Sequence, residues 1–307
     1  MSGKIISASP DSIAAAAQLL RQGGLVAMPT ETVYGLAANA LDGRAVARIF
    51  EAKGRPQFNP LIVHVPDLAT AENLVEINDM ARAAAALFWP GPLTMILPRR
   101  AHCPVSALCS AGLPTLAVRA PHHPVAQALL QEAAIPLAAP SANRSGQISP
   151  TTPAHVVQSL GNTVDMVLAA GACTVGLEST VLDLSDKKPA VLRPGAVSTD
   201  ELAAALETEV TYEIEAITAA GKPKSPGQLL RHYAPGIPVR LNAVDLEPGE
   251  ALLAFGSAKF IGIKGGGAAK DLPETARRNL SETADLHEAA AKLFRMLHDL
   301  DLPEHKA

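Results

Sequence analysis

Leu25-Val26-Ala27-Met28-Pro29-Thr30-Glu31-Thr32-Val33-Tyr34-Gly35-Leu36, with Lys53-Gly54-Arg55-Pro56 farther along, is the stretch that decides the fold. Residues 25–28 read as a short apolar strand, and Pro29 ends it because proline has no N–H for a ladder. Two threonine hydroxyls and the Glu31 carboxylate follow on the exit turn. In α/β sheets, ligands bind just beyond the carboxyl ends of strands. Lys53 and Arg55 flank Gly54, a helix stop. Two cations beside hydroxyl donors suit a phosphate-bearing ligand.

Strand and helix signals alternate on both sides of this stretch. Residues 9–24 read as a helix, with Ser9 as N-cap, Pro10 in the first turn and Gly23-Gly24 at the end. Asp42 caps a helix over 43–53 that Gly54 ends. Strands are expected at 61–65, 93–98, 115–119, 135–139 and 166–169, and helices at 67–88, 124–133, 153–160 and 199–207. Residues 180–184 and 190–193 flank Asp186-Lys187-Lys188-Pro189, which reads as a hairpin and makes the sheet mixed. From 211 to 238 the patterning lapses, and Gly221-Lys222-Pro223-Lys224-Ser225-Pro226-Gly227 reads as linker. A strand at 251–255 and an amphipathic helix near 285–299 predict a small second α/β unit. The expected domains are 1–208, a linker over 209–238, and 239–307.

Composition excludes several classes. Hydrophobic residues make up 48% and charged residues 18%, enough for a sizeable core and unlike a disordered chain. Aromatics are only 3%, so Ala, Val, Leu and Ile must do most of the packing. The formal charge of −4 argues against bulk electrostatic binding of nucleic acid. Cys103, Cys109 and Cys173 form no CxxC pair, which disfavours a zinc site or a disulfide framework and predicts a reducing, cytoplasmic setting. No long apolar run predicts a membrane span.

Four polar clusters sit at expected strand ends: Thr30–Tyr34 with Lys53 and Arg55; Thr115 with Arg119; Ser141-Ala142-Asn143 with Ser149; and Glu178-Ser179-Thr180 with Arg193. Each has a plain alternative. Ser141 and Asn143 are turn formers, His64 suits a satisfied core histidine, and Lys53 and Arg55 complement a helix dipole. Glu31 reads as a helix cap. His122-His123 point to opposite faces of an extended chain and lack an acidic partner for a metal. Gly265-Gly266-Gly267 has neither the GxGxxG spacing nor a Lys-Ser/Thr ending. No GxSxG elbow and no paired catalytic carboxylates are present. What remains is a site rich in donors and cations, with no obvious nucleophile of its own.

PTETVYGL, KGRP, NPLIVHV, WPGPLT, LAVRAP, APSAN, LEST and LRPG, in this order, resemble the threonylcarbamoyl-AMP synthases with the YrdC-like fold. Ser225-Pro226-Gly227 followed by Arg231-His232-Tyr233-Ala234-Pro235 resembles the linker of the long, two-domain form, with Gln228 where methionine is usual. The resemblance implies a twisted mixed β-sheet flanked by helices, a linker and a small Rossmann-like α/β C-terminal domain. That form carries a further strand and helix after the one near 285–299, so a shortened C-terminal domain is expected. The implied reaction joins L-threonine, bicarbonate and ATP into threonylcarbamoyl-AMP and pyrophosphate. A downstream tRNA threonylcarbamoyl transferase complex then uses the product.

By the same resemblance, Thr30, His64, Arg119 and Ser179 hold L-threonine, with Arg119 on its carboxylate. Lys53, Arg55, Asn59, Thr115, Ser141, Asn143, Ser149, Arg193 and Tyr233 hold ATP and the adenylate. Lys53 and Arg55 face the phosphates as the catalytic cations, Tyr233 closes over the site, and Mg²⁺ accompanies ATP. Two other readings compete with this one. A tRNA or double-stranded RNA-binding module is disfavoured by the charge. The carbamoyltransferase that matures hydrogenases is disfavoured by the missing CxxC pairs.

Overall fold

The computed structural model of the chain describes residues 4–213, 233–257 and 261–307. Ser225-Pro226-Gly227, Arg231 and His232 of the expected linker lie outside the described residues. The strands of the first unit are β1 (Lys4–Ser7), β2 (Val26–Met28), β3 (Gly35–Asn39), β4 (Ile62–His64), β5 (Leu93–Pro98), β6 (Thr115–Arg119), β7 (Leu137–Ala138), β8 (Met166–Ala169), β9 (Thr180–Asp183), β10 (Ala190–Arg193) and β11 (Thr211–Tyr212). They form one 11-stranded sheet in the order β1-β8-β2-β3-β7-β4-β6-β5-β9-β10-β11. Its helices are α1 (Pro10–Arg21), α2 (Gly43–Lys53), α3 (Leu68–Ala71), α4 (Asp79–Phe88), α5 (Pro124–Ala133), α6 (Pro153–Leu160) and α7 (Thr199–Leu206). The sheet is mixed, as the hairpin implies: β4 pairs parallel with β6, while β9 and β10 are antiparallel.

Local chemistry sets the helix ends. Ser9 and Ser12 cap α1 reciprocally, and Asp42 accepts from the Arg44 N–H at the start of α2. Gly54 ends α2 in the left-handed region (φ 60°), which a residue without Cβ enters freely. The expected single helix over 67–88 is instead α3 and α4. Between them Glu76 N–H bonds to Pro98 O, extending the reach of β5, and Asn78 starts α4 by accepting from Ala81 N–H. Strand β3 was not anticipated, because Gly35-Leu36-Ala37-Ala38-Asn39 carries no β-branched residue to signal it. The lapse of pattern after 210 also hides β11, which pairs with β10.

Alternation along β2 divides the packing. Leu25 and Ala27 join the core under α2, α4, α6 and α7, whereas Val26 and Met28 join the core under α1 and α5. A third cluster, Ile62, Ile96, Ala117, Val181, Ala190 and Leu192, contains strand residues only. On this part of the sheet the strand ends are free to line a cavity.

After the linker, β12 (Asp245–Leu246) pairs parallel with β14 (Gly262–Ile263), and β13 (Leu252–Ala254) with β15 (Arg277–Asn279). Helix α8 (Leu286–Leu300) carries this unit onto the first. Phe294 of α8 is buried with Val33 and Ile148, and the His298 ring stacks on His155 of α6 at 3.9 Å. Gly176 permits the approach, since a Cβ there would lie 2.3 Å from the Ala291 carbonyl oxygen. Gly176 also sits at φ 72°. Gly176→Ala should therefore push α8 away and cost about 1–3 kcal/mol, as overpacking does. The expected result is a lower denaturant midpoint; an unchanged midpoint would mean that α8 does not bear on Gly176.

Candidate active site

Three loops meet beyond the ends of β2, β4, β6 and β7, and backbone hydrogen bonds weave them together. Tyr34 N–H donates to Pro150 O, Leu36 N–H to Pro140 O, Ala142 N–H to Tyr34 O, and Val175 N–H to Glu31 O. The first polar turn is thus fixed against residues 140–150 and 175. Thr30 supports it locally: its hydroxyl donates to Val33 O and accepts from the backbone N–H groups of Thr32 and Val33. Tyr34 is fully buried and its hydroxyl donates to Gly171 O at 2.8 Å.

A cavity opens among these loops, lined by Thr30, Arg55, His64, Arg119, Ser141, Glu178, Ser179 and Arg193 together with Thr32 and Ile62. Neighbouring strands place its two central side chains, because His64 and Arg119 are register partners across β4 and β6. The Arg119 guanidinium is held on three sides. It pairs with Glu31 at 2.5 Å, donates to the Thr32 hydroxyl at 2.9 Å, and donates to Gly91 O at 3.1 Å. Arg193 returns from β10 to pair with Glu178 at 2.5 Å and to bond both the carbonyl and the hydroxyl of Ser179. Ser179 Oγ also meets Thr94 Oγ1 at 2.8 Å.

The cations differ in setting. Arg55 donates to the carbonyls of Asn59 and Pro60, and burial pushes it down to about 10, so it stays charged at neutral pH. Lys53, at the end of α2, donates to the carbonyls of Ser141 and Asn143 from behind the cavity wall. Burial lowers Lys53 to about 7; Arg55 pushes it the same way, and Glu178 pulls it back up. Burial also pushes His64 down to about 3, with Arg119 adding to the effect, so its ring is neutral.

Most of the residues named from the sequence therefore converge. Thr30, Arg55, His64, Arg119, Ser141, Ser179 and Arg193 line the cavity. Lys53, Asn143 and Ser149 stand directly behind it: Ser149 donates to Glu178, and Asn143 receives Lys53. Tyr233 donates its hydroxyl to Glu178 at 2.8 Å. Thr115 is the exception among them. It shares a face with Arg119 but lies at the far end of β6, beside Pro98 on β5, and does not line the cavity. His123 is explained without a metal, since its ring accepts from Val125 N–H and caps α5.

Sequence reasoning undervalued two carboxylates. Glu31 does not cap a helix; it is buried against Arg119. Glu178 sits between Arg193, Ser149 and Tyr233. Both stand on turns at strand ends, and only the fold shows them buried; once buried, each must find a counter-charge, because an unpaired buried charge is prohibitively costly.

Several buried polar atoms have no partner among the described residues: Glu31 Oε2, both side-chain polar atoms of Asn59, His64 Nδ1 and Asn143 Oδ1. Buried polar groups are ordinarily satisfied, so this clustering beside the cavity marks places where a ligand's groups would complete the bonding. The cavity itself measures about 40 Å³. That holds a few waters. A larger cavity of about 960 Å³ in the second unit is lined by eight leucines, Ile237, Ile261 and Phe255 among others, with Arg240, Asn242, Glu250 and Asp301 as its charged and amide groups.

A proton should move when an anion binds here. Lys53 is partly neutral near pH 7, and a phosphate beside it would raise its pKa by favouring the charged form. Binding of ATP at about pH 8 is therefore expected to take up close to one proton, by the linkage between pKa and binding. Calorimetry in buffers of different ionisation enthalpy measures this, and Lys53→Met should abolish it. Equal heats in all buffers would remove Lys53 from the anion site.

The chain matches two family models. The Sua5_yciO_yrdC model, described as Telomere recombination, covers residues 18–195, and the model for the Threonylcarbamoyl-AMP synthase, C-terminal domain, covers residues 197–307. A Pyrococcus abyssi threonylcarbamoyl-AMP synthase is 40% identical over 293 residues, 93% of this chain and 84% of that protein. The Bacillus subtilis protein of the same name is 43% identical over 237 residues, 77% of this chain and 68% of that protein. The crystal structure of P. abyssi Sua5 complexed with L-threonine superposes with a TM-score of 0.83 at 35% identity, covering 97% of this chain and 89% of that one.

Proposed function

The chain belongs to the threonylcarbamoyl-AMP synthases and is an enzyme of that kind, and from this premise we propose how its cavity performs the reaction. L-threonine lies between β4 and β6, its carboxylate on Arg119 and its hydroxyl and amine among Thr30, His64 and Ser179. Arg119 is suited to this because each of its terminal nitrogens carries a second N–H beyond the ones given to Glu31 and Thr32. ATP lies along Arg55, Ser141, Asn143 and Arg193, with Asn59 and Ser149 in support and Lys53 reaching the phosphates. Thr115, at the far end of β6, stays a resemblance-based assignment to the nucleotide.

The threonine amine takes up bicarbonate to give a carbamate with loss of water. One carbamate oxygen attacks the α-phosphorus of ATP, and pyrophosphate leaves. No side chain becomes covalently attached, so the protein's work is positioning the reactants and stabilising charge on the reacting phosphorus. Lys53 and Arg55 supply that charge. The neutral His64 ring can orient the substrate by hydrogen bonding without adding another positive charge. Mg²⁺ would arrive on the ATP phosphates and shield their charge. A metal bound through phosphate and water needs no cage of protein carboxylates.

The observation that carries this reading is the convergence of Arg55, Arg119 and Arg193 with the four hydroxyls of Thr30, Thr32, Ser141 and Ser179 on one cavity. Burial also disfavours a purely RNA-binding role. Arg119 and Arg193 are 4% and 6% exposed at the side chain, out of reach of a duplex backbone, whose phosphates need surface cations. Release of the adenylate to a downstream tRNA threonylcarbamoyl transferase, in the cytoplasm, completes the proposal. Among the described residues no helix is long and apolar enough to cross a membrane.

Pyrophosphate release, measured with ATP, Mg²⁺, bicarbonate or L-threonine omitted in turn, tests the reaction. It is expected to need all four, and release without threonine and bicarbonate would point to plain nucleotide hydrolysis. Arg119→Lys probes the carboxylate site better than alanine, which would leave Glu31 buried and unpaired. It should raise KM for L-threonine by about 10- to 100-fold, since lysine loses the fork. KM for ATP should stay nearly constant; equal changes in both would place Arg119 elsewhere in the mechanism.

A further inference from the structure

Most of the cavity wall is polar, and its apolar part is small. The apolar side chains that line it among the described residues are Val33, Ile62, Ala139 and Pro140. Val33 is already buried with Ile148 and Phe294. Ile62 is the largest of the other three, and its carbonyl accepts from Ala139 N–H at 3.0 Å, which sets Ala139 beside it. Gly35 lines the cavity too, and a Cβ there would lie 3.3 Å from that of Ala139 and narrow the space.

Strand geometry sets Ile62 one step from the polar centre of the cavity. Ile62 and His64 are two residues apart on β4, so their side chains point to the same face. Strands β4 and β6 run parallel, with Ile62 opposite Ala117 and His64 opposite Arg119. That face therefore carries a polar row, His64 with Arg119, and an apolar row, Ile62 with Ala117, about 7 Å nearer the strand starts. Ile62 and Ala117 belong to one buried apolar cluster. His64 Nδ1 is buried and has no partner among the described residues. Burial keeps its ring neutral. A neutral imidazole nitrogen is either a donor or an acceptor, and a hydroxyl can meet both.

We propose that Ile62 is the specificity-determining residue that contacts the methyl group of L-threonine while His64 takes the hydroxyl, so that β4 reads both branches of the substrate's β-carbon. This rests on the reading of the cavity as the threonine site. With the carboxylate on Arg119, the substrate's β-carbon comes between the two rows. Its hydroxyl completes His64 Nδ1, and its methyl displaces water from Ile62 and Ala139. Serine keeps the first contact and lacks the second. L-allo-threonine, whose β-carbon is inverted, sets its methyl on His64 and its hydroxyl on Ile62, which leaves both polar groups unpaired.

The test measures pyrophosphate release with ATP, Mg²⁺ and bicarbonate, as kcat/KM for L-threonine, L-serine and L-allo-threonine. It compares the unaltered chain with Ile62→Val and Ile62→Ala. The unaltered chain should prefer threonine to serine by about 10- to 100-fold, the range for one methyl in an apolar pocket. It should use L-allo-threonine less well than serine, because that substrate loses the same apolar contact and buries unpaired polar groups as well. Ile62→Val should lower the preference for threonine over serine about threefold, as the loss of one methylene of contact does. Ile62→Ala should lower it about tenfold. A merely structural role would lower both rates together and leave their ratio in place.

An unchanged ratio in both variants would overturn the assignment of Ile62. So would an unaltered chain that does not prefer threonine to serine, or that uses L-allo-threonine as well as L-threonine; neither measurement needs a variant. If thermal melting shows that Ile62→Ala does not fold, Ile62→Val decides by the same ratio. Pyrophosphate release that ignores L-threonine altogether in the unaltered chain would overturn the threonine site itself, and the proposal with it.

Discussion

The active site depends on two buried ion pairs, Arg119 with Glu31 and Arg193 with Glu178. Removing such charges from water is expensive, and attraction offsets the cost only when the remaining donors and acceptors are also satisfied. Here they nearly are. Arg119 reaches Gly91 O and the Thr32 hydroxyl, and Arg193 reaches the carbonyl and hydroxyl of Ser179. Each guanidinium therefore fixes the position of loops distant in sequence. Arg119 ties the turn after β2 to the turn before β5, and Arg193 ties the start of β9 to the end of β10. An apolar pair would stabilise the fold as well or better. It would not leave a guanidinium facing a cavity, which suggests the pairs are retained for binding.

The architecture was legible where local chemistry and hydrophobic period agree. Strands at 93–98 and 115–119 and helices at 43–53, 124–133 and 153–160 stand where their caps and apolar runs place them. The pattern failed where tertiary contacts define an element. Strand β3 is Gly35-Leu36-Ala37-Ala38-Asn39, poor in strand formers, and it exists because β2 and β7 flank it. The stretch from 67 to 88 has helical period throughout, yet pairing of 75–76 with 98–99 interrupts it. The site was legible from its basic and hydroxyl residues, because such groups at strand ends are conspicuous. Its acids were not, because Glu31 and Glu178 acquire meaning only from arginines far along the chain. The remoteness of Thr115 follows from the same limit: alternation fixes the face of a strand but not which of its ends meets the ligand.

The environment also selects the kind of chemistry. Burial pushes Cys109 and Cys173 up to about 12, so neither thiol offers a nucleophilic thiolate near neutral pH. His64 stays neutral down to about 3, too weak a base to activate a hydroxyl at its side. Ser179 is engaged by Thr94 and Arg193, and no described histidine activates it. With nucleophile and base both absent from the described cavity wall, covalent catalysis has no starting point. What the wall offers is fixed positive charge on buried side chains, where a hydrogen bond or ion pair is stronger than in bulk water.

That choice has a cost which the arrangement of acids explains. Burial is the main cause of the depressed values of Lys53, about 7, and Arg55, about 10; in a medium that screens poorly, repulsion by Arg55 lowers Lys53 further and repulsion by Arg193 lowers Arg55 further. A phosphate chain would relieve the repulsion, since an anion favours the charged form of each neighbour. So would any carboxylate held among them, and Glu178 is so held. The carboxylate must not fill the cavity, however, or it would compete with the ligand for the same donors. It avoids this by spending its oxygens on Ser149, Tyr233 and one nitrogen of Arg193 along the wall. A mixed anhydride formed beside it is then bounded by cations on one side. On the other side of the carboxylate stands the Tyr233 phenol, which packs against Phe294 of α8. By this route the second unit, which contributes none of the described side chains lining the cavity, is tied to the carboxylate that opposes the repulsion among the cations.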